Sequence, residues 1–598
     1  MKNFDEGFDN ILIYDYDKDY QNSKKFIAED LIDTNGRDSM CLDGKWNFAP
    51  DVFESVIRSR WFDEVKYNRN GLPIPYDFDF DKWDEVAVPG VWNLEKPEYK
   101  LYEGTGLYVR NFRYKAREDK RVFLKVGGSN YETRIWINKQ YMGRHLGGFT
   151  PFMLEVTDYL QEDNRVLVYV NNTRKGEQIP SLHYDWFNYG GIHRSVSLYE
   201  LPKGFIKNFK INLRKDSNFS KLEYSVLVEG MGVDKVRIYI PELKIDKEVD
   251  VKLNRSKQEY IKGIIELDKS NALELWSPES PKLYDVMVSY GDDVLNEKIG
   301  FRTIESKGSD IVLNGEKIFL KGMCVHEESL HNGRAVSKDD IENTILEAKE
   351  LGCNFLRLTH YPHNEEMSIM ADRLGIMLWE EIPVYWALEF ENKNTFDDAS
   401  NQLKELITRD INRASVIIWS IGNENPDSDA RYEFMSGLAK IARTLDGSRL
   451  IGASCLIDVD ECRIKDRLTE KLDVIGINEY YGWYLRNFDT LEEILTNSKI
   501  GKPFIITETG ADAVPGMHSE SHELYSEEYQ ADVYKKQYEV LLKFNYIRGI
   551  TPWILYDYAS MRRMNIMQEG YNLKGIISKD RKHKKRAYYV VKDVYKNL

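Results

Sequence analysis

The chain has 598 residues, too many for one hydrophobic core, and should divide into roughly three or four domains. Its 42% hydrophobic and 30% charged residues are those of an ordinary soluble protein, and a formal net charge of -15 argues against a nucleic-acid or anionic-membrane surface. Aromatic residues reach 13%, with 12 Trp and 38 Tyr, more than a generic core needs and suited to stacking on flat apolar faces of a ligand.

The N-terminus "MKNFDEGFDN" carries no apolar signal core, and no stretch approaches the ~20 apolar residues of a membrane span. Cys41, Cys324, Cys353, Cys455 and Cys462 are scattered and form no Cys-x-x-Cys pair, which speaks against a disulfide framework or a zinc site. A cytoplasmic protein is expected. Within residues 1–201, from about Leu42 to Leu201, short alternating strands broken by Gly and Asn, as in "RVFLKVGGSNYETRIWINKQYMGRHLGG" and "NRVLVYVNN", suggest an antiparallel sandwich. Residues 202–303, with "KLEYSVLVEG", "KVRIYIPE" and "YDVMVSYGD", suit an immunoglobulin-like sandwich.

Residues 304–598 change texture. Apolar strands alternate with helical patterns such as "SKDDIENTILEAKELG" and "ASNQLKELITRDINR". The expected strands are Ile318–Lys321, Asn354–Leu358, Ile376–Trp379, Val416–Ile421, Leu450–Ala453, Val474–Ile477, Phe504–Thr507 and Gly549–Trp553, the alternation of a (β/α)₈ TIM barrel. Catalytic groups in that fold stand at the C-terminal strand ends. Here those ends run into His326, "THYPHNEE", "WEEIP", "NEYYGWY", "TETG" and "WILYDY".

Two of the ends copy each other. "VIIWSIGNENPD" closes the fourth strand on Glu424 and "KPFIITETG" closes the seventh on Glu508, so two carboxyls would flank one molecule across the barrel mouth. That is what cleavage of a glycosidic bond needs: one carboxyl protonated to donate, the other ionised to attack. A carboxyl titrates near ~4.3 when free, so the donor needs a raised value, which burial and a neighbouring carboxylate supply. Glu424, between Asn423 and Asn425, suits the acid/base, and Glu508 the nucleophile. A metal fits poorly, because His326 and His331 in "HEESLH" are five apart and do not share a helix face, while His360 and His363 in "HYPH" fall on a loop. No cofactor is expected.

With "LDGKWNF", "VPGVWN", "DWFNYGGIHRSV", "GMCVHEES", "WSIGNENPD", "ITETGAD" and "YNLKGIISKDRK", nearly the whole chain resembles glycoside hydrolase family 2, and within it the β-glucuronidases. The resemblance implies a jelly-roll sugar-binding-like domain, an immunoglobulin-like sandwich and a catalytic barrel, retention of anomeric configuration, and a homo-oligomer. It places substrate contacts at Asp185, His326, Asn423, Tyr480, Trp553, Asn572 and Lys574. Asn572 and Lys574 form the Asn-x-Lys motif of glucuronidases, an amide and an ammonium that would replace the water around a uronate carboxylate. The expected activity is a retaining exo-β-glucuronidase acting on small or oligosaccharide glucuronides. The alternatives are a β-galacturonidase or relaxed uronidase, more remotely a β-galactosidase, and, outside enzymes, a carbohydrate-binding pseudoenzyme. Two features depart from the family: Asn425 follows the acid/base, and the segment Glu381 to Gln402 is short, which implies an open leaving-group side.

Overall fold

Alternation and continuity of burial separate the sheets of this protein. In the computed structural model, which describes residues 24–58, 60–63, 67, 70–72, 79–230, 235–251, 258–268, 272–485 and 487–598, the chain divides into two compact units. The first takes Met1–Leu31, Asp38–Thr173 and Asn188–Lys203, and the second Ile32–Arg37, Arg174–Phe187 and Gly204–Leu598.

In the first unit a six-stranded antiparallel sheet, ordered Asp84–Val88, Gly44–Asp51, Thr105–Arg113, Asp163–Asn171, Glu132–Ile137, Gln140–Leu146, faces a four-stranded sheet of Ser39–Cys41, Val196–Pro202, Lys120–Val126 and Phe152–Glu155. Trp46, Phe48, Val122, Val126, Val166 and Val168 fill the space between the two inner faces.

The second unit begins with a smaller sandwich. Three strands (Phe205–Leu213, Lys221–Glu229, Gln258–Glu266) pack on four (Ile245–Asp250, Lys235–Ile240, Tyr284–Tyr290, Asp293–Ile299). Burial along Tyr284–Tyr290 alternates strictly, as one wet face requires.

The barrel strands are β1 (Leu320–Val325), β2 (Phe355–Leu358), β3 (Met377–Glu381), β4 (Val416–Asn423), β5 (Leu450–Cys455), β6 (Val474–Asn478), β7 (Phe504–Glu508) and β8 (Ile547–Ile550). They pair in parallel and close on one another. Every residue of β4 is buried, because helices cover the outside and layered side chains the inside. The helices are delimited by their caps: Ser337 and Asp340 form a capping box before Lys338–Leu351, and Gly352 ends that helix at φ 98°, a conformation open to glycine without strain.

Two expected strands are displaced. Ile318 belongs to a three-stranded antiparallel sheet with Asp310–Leu313, so β1 starts later and carries Met323, Cys324 and Val325 inside. β8 stops at Ile550, and Pro552, which has no N–H to continue a ladder, follows two residues on. Among the described residues no helix is long and apolar enough to cross a membrane.

Candidate active site

Arg357 organises the floor of the barrel mouth. It sits in the middle of apolar β2, wholly buried, and its guanidinium donates to Glu508 Oε1 at 2.8 Å, to Asn423 Oδ1 at 2.7 Å and to Glu381 Oε2 at 3.2 Å. A buried guanidinium stays charged and needs carboxylates to offset its lost hydration, and here Glu381 and Glu508 outweigh burial and hold it above its ordinary value. Glu381 is held below the usual carboxylate range against its own burial by Arg357, by His360 Nδ1 at 2.7 Å and by the indole of Trp379 at 2.8 Å.

Glu508 ends β7 and is buried. Its Oε1 faces Arg357, and its Oε2 accepts from the Tyr480 hydroxyl at 2.7 Å. Burial pushes this carboxyl up to about 8; Glu424 adds to the rise, while Arg357 and Tyr480 oppose it. Glu424 follows β4, half-buried, with φ 51° in the left-handed region that a non-glycine residue adopts only when its surroundings enforce it. Its backbone N–H donates to Ser454 O at 2.9 Å, and its Oε2 accepts from the Trp386 indole N–H at 2.7 Å. So a permanent cation and a phenol face Glu508, whereas Glu424 accepts from a neutral indole.

Around the carboxyls lies an aromatic wall. Trp553 stacks on His360 with centroids 5.0 Å apart and meets His326 edge-on at 5.4 Å. Burial pulls His360 down to about 4 and His326 well below its ordinary value, so both rings are neutral near pH 7. His326 Nδ1 lies 3.0 Å from the Tyr361 hydroxyl, and its buried Nε2, like Asn423 Nδ2, has no hydrogen-bond partner among the described residues. Buried polar atoms without partners are costly, and these two suit the hydroxyls of a ligand.

Lys574 occupies a second, cationic corner. Its buried ammonium meets Asp512 Oδ2 at 2.6 Å and the Tyr484 hydroxyl at 3.0 Å, and lies 4.9 to 5.7 Å from the ring centroids of Tyr484, Trp483 and Tyr480. Burial alone would discharge it, but Asp512 and Tyr484 outweigh burial and hold it above its ordinary value. Asp512 is fixed in turn by Gln568 Nε2 at 2.8 Å and the Leu573 N–H at 3.0 Å. The Asn572 side-chain oxygen accepts from the Lys574 backbone N–H at 3.1 Å, and its NH₂ makes no hydrogen bond among the described residues. Asp185 lies in the Arg174–Phe187 segment, which clusters with the barrel, and binds Ser560 and Arg563. Arg563 also approaches the Tyr484 hydroxyl, at 3.4 Å, so Asp185 connects through it to the Lys574 corner.

Family models match along most of the chain: the glycosyl hydrolases family 2 sugar binding domain at 40–202, glycosyl hydrolases family 2 at 204–302, and the family 2 TIM barrel domain at 304–598. The chain belongs to glycosyl hydrolase family 2. A β-glucuronidase of Paenibacillus borealis is 27% identical over 607 aligned residues, covering 93% of this chain and 96% of that protein. A family 2 β-galacturonidase from Eisenbergiella tayi, solved with galacturonate, matches with TM-score 0.81 and 27% identity over 94% of this chain and 98% of its own. The β-glucuronidase of Ruminococcus gnavus, solved with D-glucaro-δ-lactam, matches with TM-score 0.82 and 26% identity over 95% and 100%.

All nine residues singled out from the sequence of this family 2 hydrolase lie in one compact unit with the barrel. Tyr480, expected to touch substrate, spends its hydroxyl on Glu508, and Lys574 already has a carboxylate partner in Asp512. Sequence reasoning passed over Arg357, Glu381, Trp386, Asp512 and Arg563. A charge inside the apolar run "FLRL" was a usable signal for Arg357, since a buried arginine needs carboxylates. Nothing local marks Trp386 or Asp512. His331 is exposed, and among the described residues no group of three or more His, Cys, Asp or Glu could hold a metal ion.

Proposed function

We propose that the chain is an exo-acting β-glucuronidase that works by double displacement, with residues 304–598 as its catalytic domain and 1–201 and 202–303 as its jelly-roll and immunoglobulin-like domains. The observation that carries the reading is the buried, ionised Lys574 in a cage of three aromatic rings, connected through Tyr480 to Glu508. A family 2 site with a built cation of this kind fits a sugar whose C6 is a carboxylate. Lys574 has three donors, and Asp512 and Tyr484 take two, leaving one for the uronate.

In the first step Glu508 attacks the anomeric carbon while Glu424 gives its proton to the departing glycosidic oxygen. Trp386 occupies Oε2 of Glu424, so the transferable proton belongs on Oε1. Arg357 and Tyr480 hold Glu508 as the anion that attacks, and they recover a free partner when the ester is hydrolysed. In the second step Glu424 takes a proton from water, whose oxygen attacks the anomeric carbon and releases Glu508. Asn423 Nδ2 and His326 Nε2 would meet ring hydroxyls, and Trp553 would floor the ring.

A β-galacturonidase is the second reading, favoured by a likeness to the Eisenbergiella tayi enzyme equal to that to the glucuronidases. We further place the enzyme in the cytoplasm as a homo-oligomer; the location is supported by five cysteines outside any disulfide, and the oligomer by the family resemblance. Assays on p-nitrophenyl β-D-glucuronide, β-D-galacturonide and β-D-galactoside test the reading. Turnover of the glucuronide above the other two is expected, with the β-anomer of glucuronic acid appearing first by NMR. Turnover of the galactoside alone would overturn it.

A further inference from the structure

The leaving-group side of the site is built from residues that the catalytic cycle leaves unassigned. The acid/base carboxyl must reach the glycosidic oxygen, so a group hydrogen-bonded beside that carboxyl borders the departing part of the substrate. Trp386 is such a group. Its position is over-determined: φ is 56°, its N–H donates to Asn423 O at 2.9 Å, and its carbonyl accepts from Asn425 Nδ2 at 2.8 Å. A half-buried indole held this firmly offers a flat apolar wall.

Arg562 lies over that wall, its guanidinium carbon 4.5 Å from the ring centroid. The two adjacent arginines differ in their partners. Arg563 is neutralised by Asp185, which also binds Ser560 and so anchors the start of the loop. Arg562 is exposed, and among the described residues no carboxylate lies within ion-pair distance of it. Stacking on the indole fixes the plane of a guanidinium while leaving its edge N–H groups for a ligand. The same loop exposes Met564 and Ile566, at 64% and 89%, as further apolar surface.

We propose that Arg562, seated on Trp386, makes the enzyme select leaving groups whose ring presents an apolar face and carries an anionic substituent. The inference rests on the glucuronidase reading and extends it to the other half of the substrate. An aromatic acid and an acidic sugar share this chemistry, so the test has an arm for each.

The first arm compares 3-carboxyphenyl with 3-carbamoylphenyl β-D-glucuronide, which differ in charge and little in shape. The readout is the ratio of their kcat/KM values in the wild type and in Arg562→Gln, so that intrinsic reactivity cancels. The ratio should fall about threefold to fivefold in Arg562→Gln, the upper part of the range of an exposed charge pair. Arg562→Lys should keep part of the preference, and salt should erode it in the wild type. The second arm compares a glucuronide linked to a sulfated sugar with its unsulfated form. A loss of preference confined to one arm identifies the source of the anion. An unchanged ratio in both arms overturns the inference and leaves the glucuronidase reading standing, whereas failure of the wild type to cleave any of these glucuronides overturns that reading and the inference with it.

Discussion

Glu508 carries two opposed demands in the proposed cycle, being buried enough to be pushed up to about 8 and required to attack as an anion. The sign of the consequence is fixed. A raised pKa moves the loss of the ionised form to higher pH, so the acid limb of kcat/KM should lie above the ordinary carboxylate range. Tyr480→Phe removes a donor to the anion and should move that limb further up, with a smaller effect at alkaline pH; a limb that stays in place would mean that the Tyr480 bond does not stabilise charge. Glu508→Ala should abolish turnover, while Glu424→Ala should spare substrates with good leaving groups, which need little protonation. Equal losses across leaving groups would overturn the assignment of roles. For Lys574, truncation should cost about 2–5 kcal/mol on a glucuronide, roughly 30-fold or more in kcat/KM, and far less on a neutral glycoside. Because Lys574→Ala strands buried Asp512 as an uncompensated charge, the double variant Lys574→Ala/Asp512→Asn separates recognition from folding. It should regain stability without regaining uronide selectivity, and a regained selectivity would remove Lys574 from the uronate site.

At the scale of elements, the structure shows what the loop between β3 and the helix Lys393–Asp410 holds. Residues 382–392 are tied to the end of β4 by Asn425, whose amide donates to Val384 O at 3.2 Å and Trp386 O at 2.8 Å. Asn425, next to Glu424, is thus the residue that ties down the indole bonded to Glu424. Asn425→Ala leaves two carbonyls without that donor, at about 1–3 kcal/mol. Its loss of kcat should be concentrated on poor leaving groups, the same pattern as Glu424→Ala but smaller. A uniform loss across leaving groups would make Asn425 a purely structural residue. The helices and most barrel strands were legible because caps and apolar runs are local signals. The start of β1 was not, since Ile318 and Leu320 are equally apolar and only their pairing partners distinguish hairpin from barrel.

For the whole molecule, four carboxyls outside the proposed catalytic pair, Glu328, Asp372, Glu479 and Asp557, are each raised by desolvation to about 7. The folded chain therefore holds protons that the unfolded chain has already released, so this stability is full below the unfolded carboxyl range and is lost as pH rises through about 7. His326 and His360, depressed in the fold, act oppositely below about 6.5. The carboxyl effect should thus stand alone between about pH 6.5 and 8, where Tm should fall by about 1–2 °C for each kcal/mol lost in an unfolding unit of roughly 300–600 residues. Calorimetry of the wild type and Glu479→Gln checks it: the variant should show a shallower fall. A Tm that rises through this range would refute the account.

By itself the sequence determined the order of sandwich, sandwich and barrel, and the two carboxyls at the ends of β4 and β7, because hydrophobic period and strand-end chemistry are written along the chain. Motifs in register across the chain carried the resemblance to family 2 and, with it, Asn572 and Lys574. Only the tertiary structure decided what each charge faces. Arg357 joins Glu508, Glu381 and Asn423 from four strands, Asp512 neutralises Lys574 from 62 residues away, and Asp185 meets Arg563 from 378. The cost of burying a charge is settled by its partners in space, and no local pattern in the sequence specifies them.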